Sequence, residues 1–378
     1  MTTPSGHDMR GGRESPDSDS ISADNVQQHF ADIFAHLRTA DETRARAGDV
    51  RGLWSTADGT ISHLSSRFVT EPNVDFSGGW SLQLQNLWHL YYVAGKHCPE
   101  DAMAPLVLQV VETSQRGLLS RTHTSSSGEV EIEQARIIVQ IGNHTIQQSL
   151  WHDLPLMVPN MVDYWVRDCA HMSRTQRVRI SFFLASLTAA STAPWAYGLC
   201  SIALIVLRDT LEKERRLVRV GVEPGGEDSE NAGRSTDMLT ISDLLLCVNA
   251  WLVRAGGRIV QLCEMGDGNP GRVLPWSVPD AVSQPGPLAV EAGVQTFPGG
   301  FSSQRWFFWL RRLEAIGAEA PSSAGQETGS SSSTAPFVQR VREEKHLARQ
   351  VAYNMVYAAT QSDSSIVREL MRVGRLPL

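Results

Sequence analysis

The residues best placed to do chemistry are a few carboxylates and amides set among apolar neighbours. In SIALIVLRDTLEKERR, Asp209 and Glu212 continue the helical line of Ile202, Ile205 and Val206, which aims two acids along an otherwise buried stripe. Hard oxygen ligands at that spacing suit a magnesium ion that holds a diphosphate, and an ordinary helix emerging into water carries the same residues. Asp168, in VPNMVDYWVRDCAHM, sits at the boundary between a polar side (Asn160, Asp163, Arg167, His171) and an inward side (Met161, Trp165, Cys169, Met172). Asn249 stands inside the apolar run LLLCVNAWLV, and Asn354 lies between Leu347, Val351 and Ala358 on the inner stripe of HLARQVAYNMVYAAT. Burying an amide without a partner costs about 1–3 kcal/mol. Each asparagine therefore either bridges a neighbouring helix or lines a cavity as a ligand to metal or substrate.

Familiar catalytic signatures are missing. The strings GWSLQ and GFSSQ both lack the second glycine of a nucleophile elbow, and no glycine-rich stretch ends in G-K-[ST]. No histidine pair has H-x-x-x-H spacing, and the five cysteines form no C-x-x-C pair. The cysteines read as buried thiols of a reducing, cytoplasmic compartment. A formal charge of −7, with the 34 lysines and arginines spread along the chain, leaves no basic footprint for nucleic acid.

The elements that position these residues are helical. Amphipathic periodicity begins at Ser22 in SADNVQQHFADIFAHLRTA and returns in WSLQLQNLWHLYYVAG, which Cys98-Pro99 ends. Further helices are predicted over Glu100 to Arg116, from Pro159, after a Ser173 cap, and over Trp195 to Arg219. MLTISDLLLCVNAWLVRAGGRIVQLCE is apolar around its circumference and belongs at the centre of the fold. A helix after Ser302 puts Trp306, Trp309, Leu310 and Leu313 on one stripe, with Gly317 offering a left-handed stop. Alternation in EVEIEQARIIVQI, 129–141, predicts a short strand or extended arm. The uncharged run Ile180 to Leu207 is interrupted by Ser191, Thr192 and Pro194, so it reads as two buried helices and not a membrane span. The resulting expectation is a single all-α domain over 22–378 with mobile surface loops at 221–237 and 318–336. A disordered tail over 1–21, with neither the apolar stretch of a signal peptide nor the composition of a transit peptide, precedes it.

Six strings in order along the chain carry a family resemblance: LWHLYYVAGKHCPEDAMAPLVLQVV, WHDLPLMVPNMVDYW, QRVRISFFLASLTAA, VLRDTLE, AWLVRAGGRIV and GGFSSQRWFFWLRRLEAI. The most specific are W-x-D-L-P at Trp151 to Pro155 and G-F-S-x-x-R-W-x-F-W at Gly300 to Trp309. On these the chain resembles the fungal DUF3632 (OpdG-like) family of secondary-metabolite-associated proteins, which implies an all-α fold. Within that resemblance lies a branch similar to humulene-type sesquiterpene cyclases that lack the usual terpene-cyclase motifs. Here too D-D-x-x-D, N-D-x-x-S-x-x-x-E and D-x-D-D are absent.

That branch implies cyclisation of farnesyl diphosphate to a macrocyclic sesquiterpene, with magnesium and arginine holding the diphosphate and aromatic rings shielding carbocations. On this implication Asn249, Asn354, Trp88 and Trp306 serve the reaction, and Arg305, Tyr91 and Trp165 bind substrate. Asp168, Asp209 and Glu212 hold the metal. The alternative is a non-catalytic helical protein that binds or scaffolds pathway enzymes, with each tryptophan serving only as core.

Overall fold

Apolar residues three and four apart produce twelve helices among the residues that the computed structural model describes, namely 23–71, 79–124, 127, 129–141, 144–219, 229–268, 283–297, 299–318, 335–362 and 364–372. They are α1 (Ala23–Arg46), α2 (Val50–Thr70), α3 (Gly79–His97), α4 (Ala104–Gln115), α5 (Met157–Asp168) and α6 (Arg174–Ala190). After these come α7 (Pro194–Leu211), α8 (Ile241–Gly268), α9 (Pro287–Glu291), α10 (Ser303–Ala318), α11 (Ala335–Thr360) and α12 (Ser365–Arg372). The chain is thus mostly helical, as its periodicity requires.

Local signals explain several boundaries. Ser173 caps α6 in a full capping box: its Oγ accepts from Gln176 N at 3.2 Å, and Gln176 Oε1 accepts from Ser173 N at 2.8 Å. Pro194 starts α7, where its missing N–H is harmless, so the uncharged run is indeed two helices. Among the described residues no helix is long and apolar enough to cross a membrane.

Two groups of helices share α6. One gathers α1, α2 and α5 around α3; the other gathers α7, α10 and α11 around α8. The central helix breaks at Ala255 (φ −124°, ψ 16°), and at the next residue α11 crosses so closely that a Cβ on Gly256 would lie 2.6 Å from that of Ala358. Only glycine allows that approach.

The structure corrects several boundaries. The predicted strand at 129–141 is two, β2 (Val130–Gln134) and β3 (Arg136–Ile141), meeting at Ala135. β2 pairs antiparallel with β1 (Ser120–Thr124), and β3 with β4 (His144–Ser149). Both partners are polar segments with no alternation to announce them. The helix expected over Trp195 to Arg219 stops at Leu211, because Glu212 turns away to a buried partner. The helix expected from Glu100 begins at Ala104, after a 3₁₀ turn over Glu100–Ala102. Gly317 is no left-handed stop. It lies inside α10, and its carbonyl accepts from Arg349 Nε at 3.1 Å and Nη2 at 2.7 Å.

Of the loop expected at 221–237, residues 229–237 are fastened: Glu230 pairs with Arg46 at 3.0 Å, and Asn231 N donates to the carbonyl of His171. Residues 221–228 of that region, 319–334 of the second loop, and the expected tail lie outside the described residues.

Candidate functional site

Glu212 and Arg305 form a closed polar arrangement, and both are fully buried. Glu212 Oε1 accepts from Arg305 Nε and Trp309 Nε1, each at 2.6 Å. Its Oε2 accepts from Arg305 Nη2 at 2.9 Å and from Gly286 N at 2.5 Å. Arg305 Nη1 donates to the carbonyls of Ser283 and Gly300 at 2.9 and 2.6 Å, and Nη2 also to Gln284 O at 3.2 Å. A guanidinium has five N–H donors, and here all five have protein acceptors. Gly300 is required beside it: its φ is +80°, and a Cβ there would lie 2.5 Å from Leu204 Cδ2. The G-F-S-x-x-R-W-x-F-W string therefore builds an anchor between α7 and α10.

The three carboxylates expected to share a magnesium ion do not come together. Glu212 belongs to the anchor, Asp209 pairs with Lys213 at 2.6 Å, and Asp168 accepts from Tyr92 Oη and Arg167 Nε, both at 2.9 Å. Each is matched to a donor of its own. Among the described residues no three His, Cys, Asp or Glu side chains converge as metal ligands.

The two asparagines do meet. Asn354 Nδ2 donates to Asn249 Oδ1 at 2.8 Å between α11 and α8, and Gln350 Nε2 donates to Asn354 Oδ1 at 3.2 Å. Both residues are half-buried, so the pair lies at the rim of the helix interface and not in its middle.

The aromatic residues divide into two sets. Trp88, Tyr91 and Trp165 are buried. Trp88 stacks on Tyr91 with centroids 6.1 Å apart, and its Nε1 donates to Pro155 O at 2.7 Å. That bond pins a strained turn, since Leu154 and Leu156 hold positive φ of 46° and 65°. Tyr91 Oη donates to Gln109 Oε1 at 2.9 Å, and burial pushes its hydroxyl pKa upward. The second set, Trp195, Trp251 and Trp306, comes from α7, α8 and α10, which pack on one another. Their indole Nε1 atoms are buried and have no acceptor. Each such donor costs about 1–3 kcal/mol.

A further polar cluster lies where α3 meets α5 and α1. His89 stands edge-on to Tyr164, centroids 5.6 Å apart, and Tyr92 lies 4.8 Å from Tyr164. Burial, followed by the charge of Arg38, lowers the His89 pKa to about 4, so the ring is neutral at pH 7. Its Nδ1 is buried with no partner, as are Asn86 Nδ2 and Asn160 Nδ2.

A family model described as a protein of unknown function (DUF3632) matches residues 88–313, more than half of the chain. The chain belongs to the DUF3632 family. It is 32% identical over 251 residues to a protein of Penicillium oxalicum (strain 114-2 / CGMCC 5302) named "Oxopyrrolidines biosynthesis cluster protein G". The match covers 65% of this chain and 62% of that relative. No solved structure gives a significant match.

The DUF3632 match runs from α3 to α10, so it holds the Glu212–Arg305 anchor, the pinned turn at Leu154 and the three core indoles, but not Asn354 or Arg38. His89 and Asn86 were not singled out from the sequence. The available signal was their spacing in LQNLWHL, which sets an amide and an imidazole one helical turn apart on an apolar helix.

Proposed function

We propose that this DUF3632 protein serves a fungal secondary-metabolite cluster in the cytoplasm as a cyclase of a prenyl diphosphate. Farnesyl diphosphate is the expected substrate and a humulene-type macrocyclic hydrocarbon the product. The observation that carries this reading is the trio of buried tryptophans, Trp195, Trp251 and Trp306, with unmatched indole N–H groups. Unsatisfied donors inside an apolar helical core mark a place prepared for something beyond the protein's own atoms. Indole faces are also the side chains that best stabilise a carbocation. Breaking the C–O bond releases diphosphate and leaves an allylic cation. Ring closure moves the charge along the chain, and loss of one proton gives the neutral hydrocarbon. The name of the Penicillium relative supports the biosynthetic-cluster part of the reading.

The carboxylates named above do not fit a shared magnesium ion, so the test is run both with and without magnesium. Purified protein is incubated with farnesyl and geranylgeranyl diphosphates under a solvent overlay, and the overlay is analysed by gas chromatography. A sesquiterpene that disappears in the Trp251→Ala variant is the expected outcome. No hydrocarbon from either substrate under either condition sinks the proposal.

A second reading, a non-catalytic binding or scaffold protein of the same cluster, has one observation in its favour. Arg305 and Glu212 are fully occupied by one another, by the Trp309 indole and by the backbone, which leaves neither for substrate. It predicts an inert protein that co-purifies with a pathway enzyme.

A further inference from the structure

The cluster between α1, α3 and α5 has a donor pattern that no protein acceptor completes. Tyr92 Oη reaches Asp168, and about two turns earlier on α3 the carbonyl of Gln85 accepts from Tyr164 Oη at 3.3 Å. The two helices therefore run in the same direction. A helical side chain leans back toward its helix's N-terminus, so the Tyr164 hydroxyl that meets the Gln85 carbonyl lies over the turn that holds Asn160, which puts Asn160 on the same face near the level of Gln85 and Asn86. Arg38 of α1 closes the third side: its Nε donates to Asn86 Oδ1 at 2.8 Å, and no carboxylate pairs with it among the described residues. With Asn86 Oδ1 so engaged, Asn86 Nδ2 turns inward to no acceptor, and Asn160 Nδ2 and His89 Nδ1 end the same way.

Nearby acids are already engaged. Asp168 holds Tyr92 and Arg167, Asp163 pairs with Arg167 at 3.5 Å, and Glu42 pairs with Arg46 at 2.9 Å. What remains is one guanidinium without a counter-ion, two amide nitrogens, and a neutral imidazole free to carry its proton on Nδ1. The complement of such a set is a group that only accepts hydrogen bonds and carries negative charge. We propose that the α1–α3–α5 seam binds an oxyanion group of a ligand, a carboxylate or a phosphate, gripped by Arg38 and received by Asn86, His89 and Asn160.

All four side chains are partly exposed, although the three nitrogens face inward. Rotation of the Asn160 amide, and of the Asn86 amide once Arg38 turns from Asn86 Oδ1 to the ligand, presents both nitrogens to a ligand arriving beside Arg38. The Tyr92 and Tyr164 rings form the floor, with the Arg167 guanidinium 5.2 Å from the centre of Tyr164. This seam belongs to the helix group around α3, apart from the core indoles of α7, α8 and α10, so the proposal stands whether or not the protein is a cyclase.

Acetate, inorganic phosphate and inorganic diphosphate are titrated into the full-length protein, and the ring resonances of His89, assigned from the His89→Asn variant, are followed by NMR. Saturable shifts with at least one of the three are expected, and the preferred ion distinguishes a carboxylate ligand from a phosphate. Arg38→Ala should weaken that binding by about tenfold or more, Arg38→Lys by less, and Asn160→Leu severalfold. Melting curves of the variants establish that they fold. Two results overturn the proposal: no saturable shift with any of the three ions, or a shift that persists unchanged in both Arg38→Ala and Asn160→Leu.

Discussion

The Glu212–Arg305 anchor and the α1–α3–α5 seam are opposite solutions to placing polar atoms at helix contacts. In the anchor every donor of the guanidinium meets an acceptor, and nothing is exposed. In the seam three nitrogens meet nothing, and the side chains that carry them are partly exposed to solvent. A completed network fixes one geometry and has no valence left for a ligand, whereas an incomplete one destabilises the free protein and is completed by whatever binds. The most specific family string, around Arg305, thus marks construction. The less conspicuous LQNLWHL marks capacity.

The contrast can be broken first at the anchor. Glu212→Leu leaves the Arg305 guanidinium buried without its counter-ion and should lower the unfolding free energy by about 3–5 kcal/mol, read from urea denaturation. The double variant Glu212→Leu/Arg305→Met should recover much of that loss. A loss below about 1 kcal/mol in the single variant would show that the anchor tolerates an unpaired charge and that the comparison is misdrawn.

The seam should respond to pH through its imidazole. Because the His89 value is lowered to about 4 by burial and by Arg38, the unfolded chain takes up a proton near its ordinary 6.5 while the folded chain resists. Stability is therefore full above pH 6.5 and falls as the pH drops from there toward 4. The Glu42 and Asp168 charges oppose the shift and Arg167 adds to it. After a discount for partial exposure, His89 accounts for roughly 2 kcal/mol of that fall. His97, also lowered to about 4, titrates in the same window, so His89→Asn should remove only part of the dependence. An identical pH profile for wild type and variant would contradict the neutral, buried imidazole.

The smallest effect is expected at the Asn249–Asn354 bond, which lies between these extremes. Asn354→Leu should cost about 1 kcal/mol, the ordinary net value of one half-buried hydrogen bond. If the pair also serves turnover, the cyclase assay will lose its product in a variant that melts nearly as the wild type does.

Much of the fold was legible because helical periodicity is local. Ser173 with Gln176, and Pro194 after an uncharged run, announced their boundaries within a few residues. β1 and β4 were not legible, since SRTHT and HTIQQS are polar and owe their extended form to pairing with a neighbour. At the site level, a buried stripe leading to Glu212 was visible, but its partner 93 residues away was not. The sequence offered the carboxylate to a metal, and the fold supplies a guanidinium. Asn249 and Asn354 were both readable as polar breaks in apolar stripes; that they would meet each other depended on how α8 and α11 cross.

The separation of Glu212 from Arg305 also sets an order of events in the life of the chain. Translation at roughly 5–20 residues per second leaves the carboxylate without its guanidinium for about 5–20 s. During that interval α7 can form but cannot be sealed at its end, because closing it over a bare carboxylate would bury an unpaired charge. The anchor then forms when α10 emerges, and long-range closure of this kind belongs to the late, slow part of folding. A chain truncated before residue 300 should therefore be handled by the cell as an unfinished protein, however complete its first nine helices are.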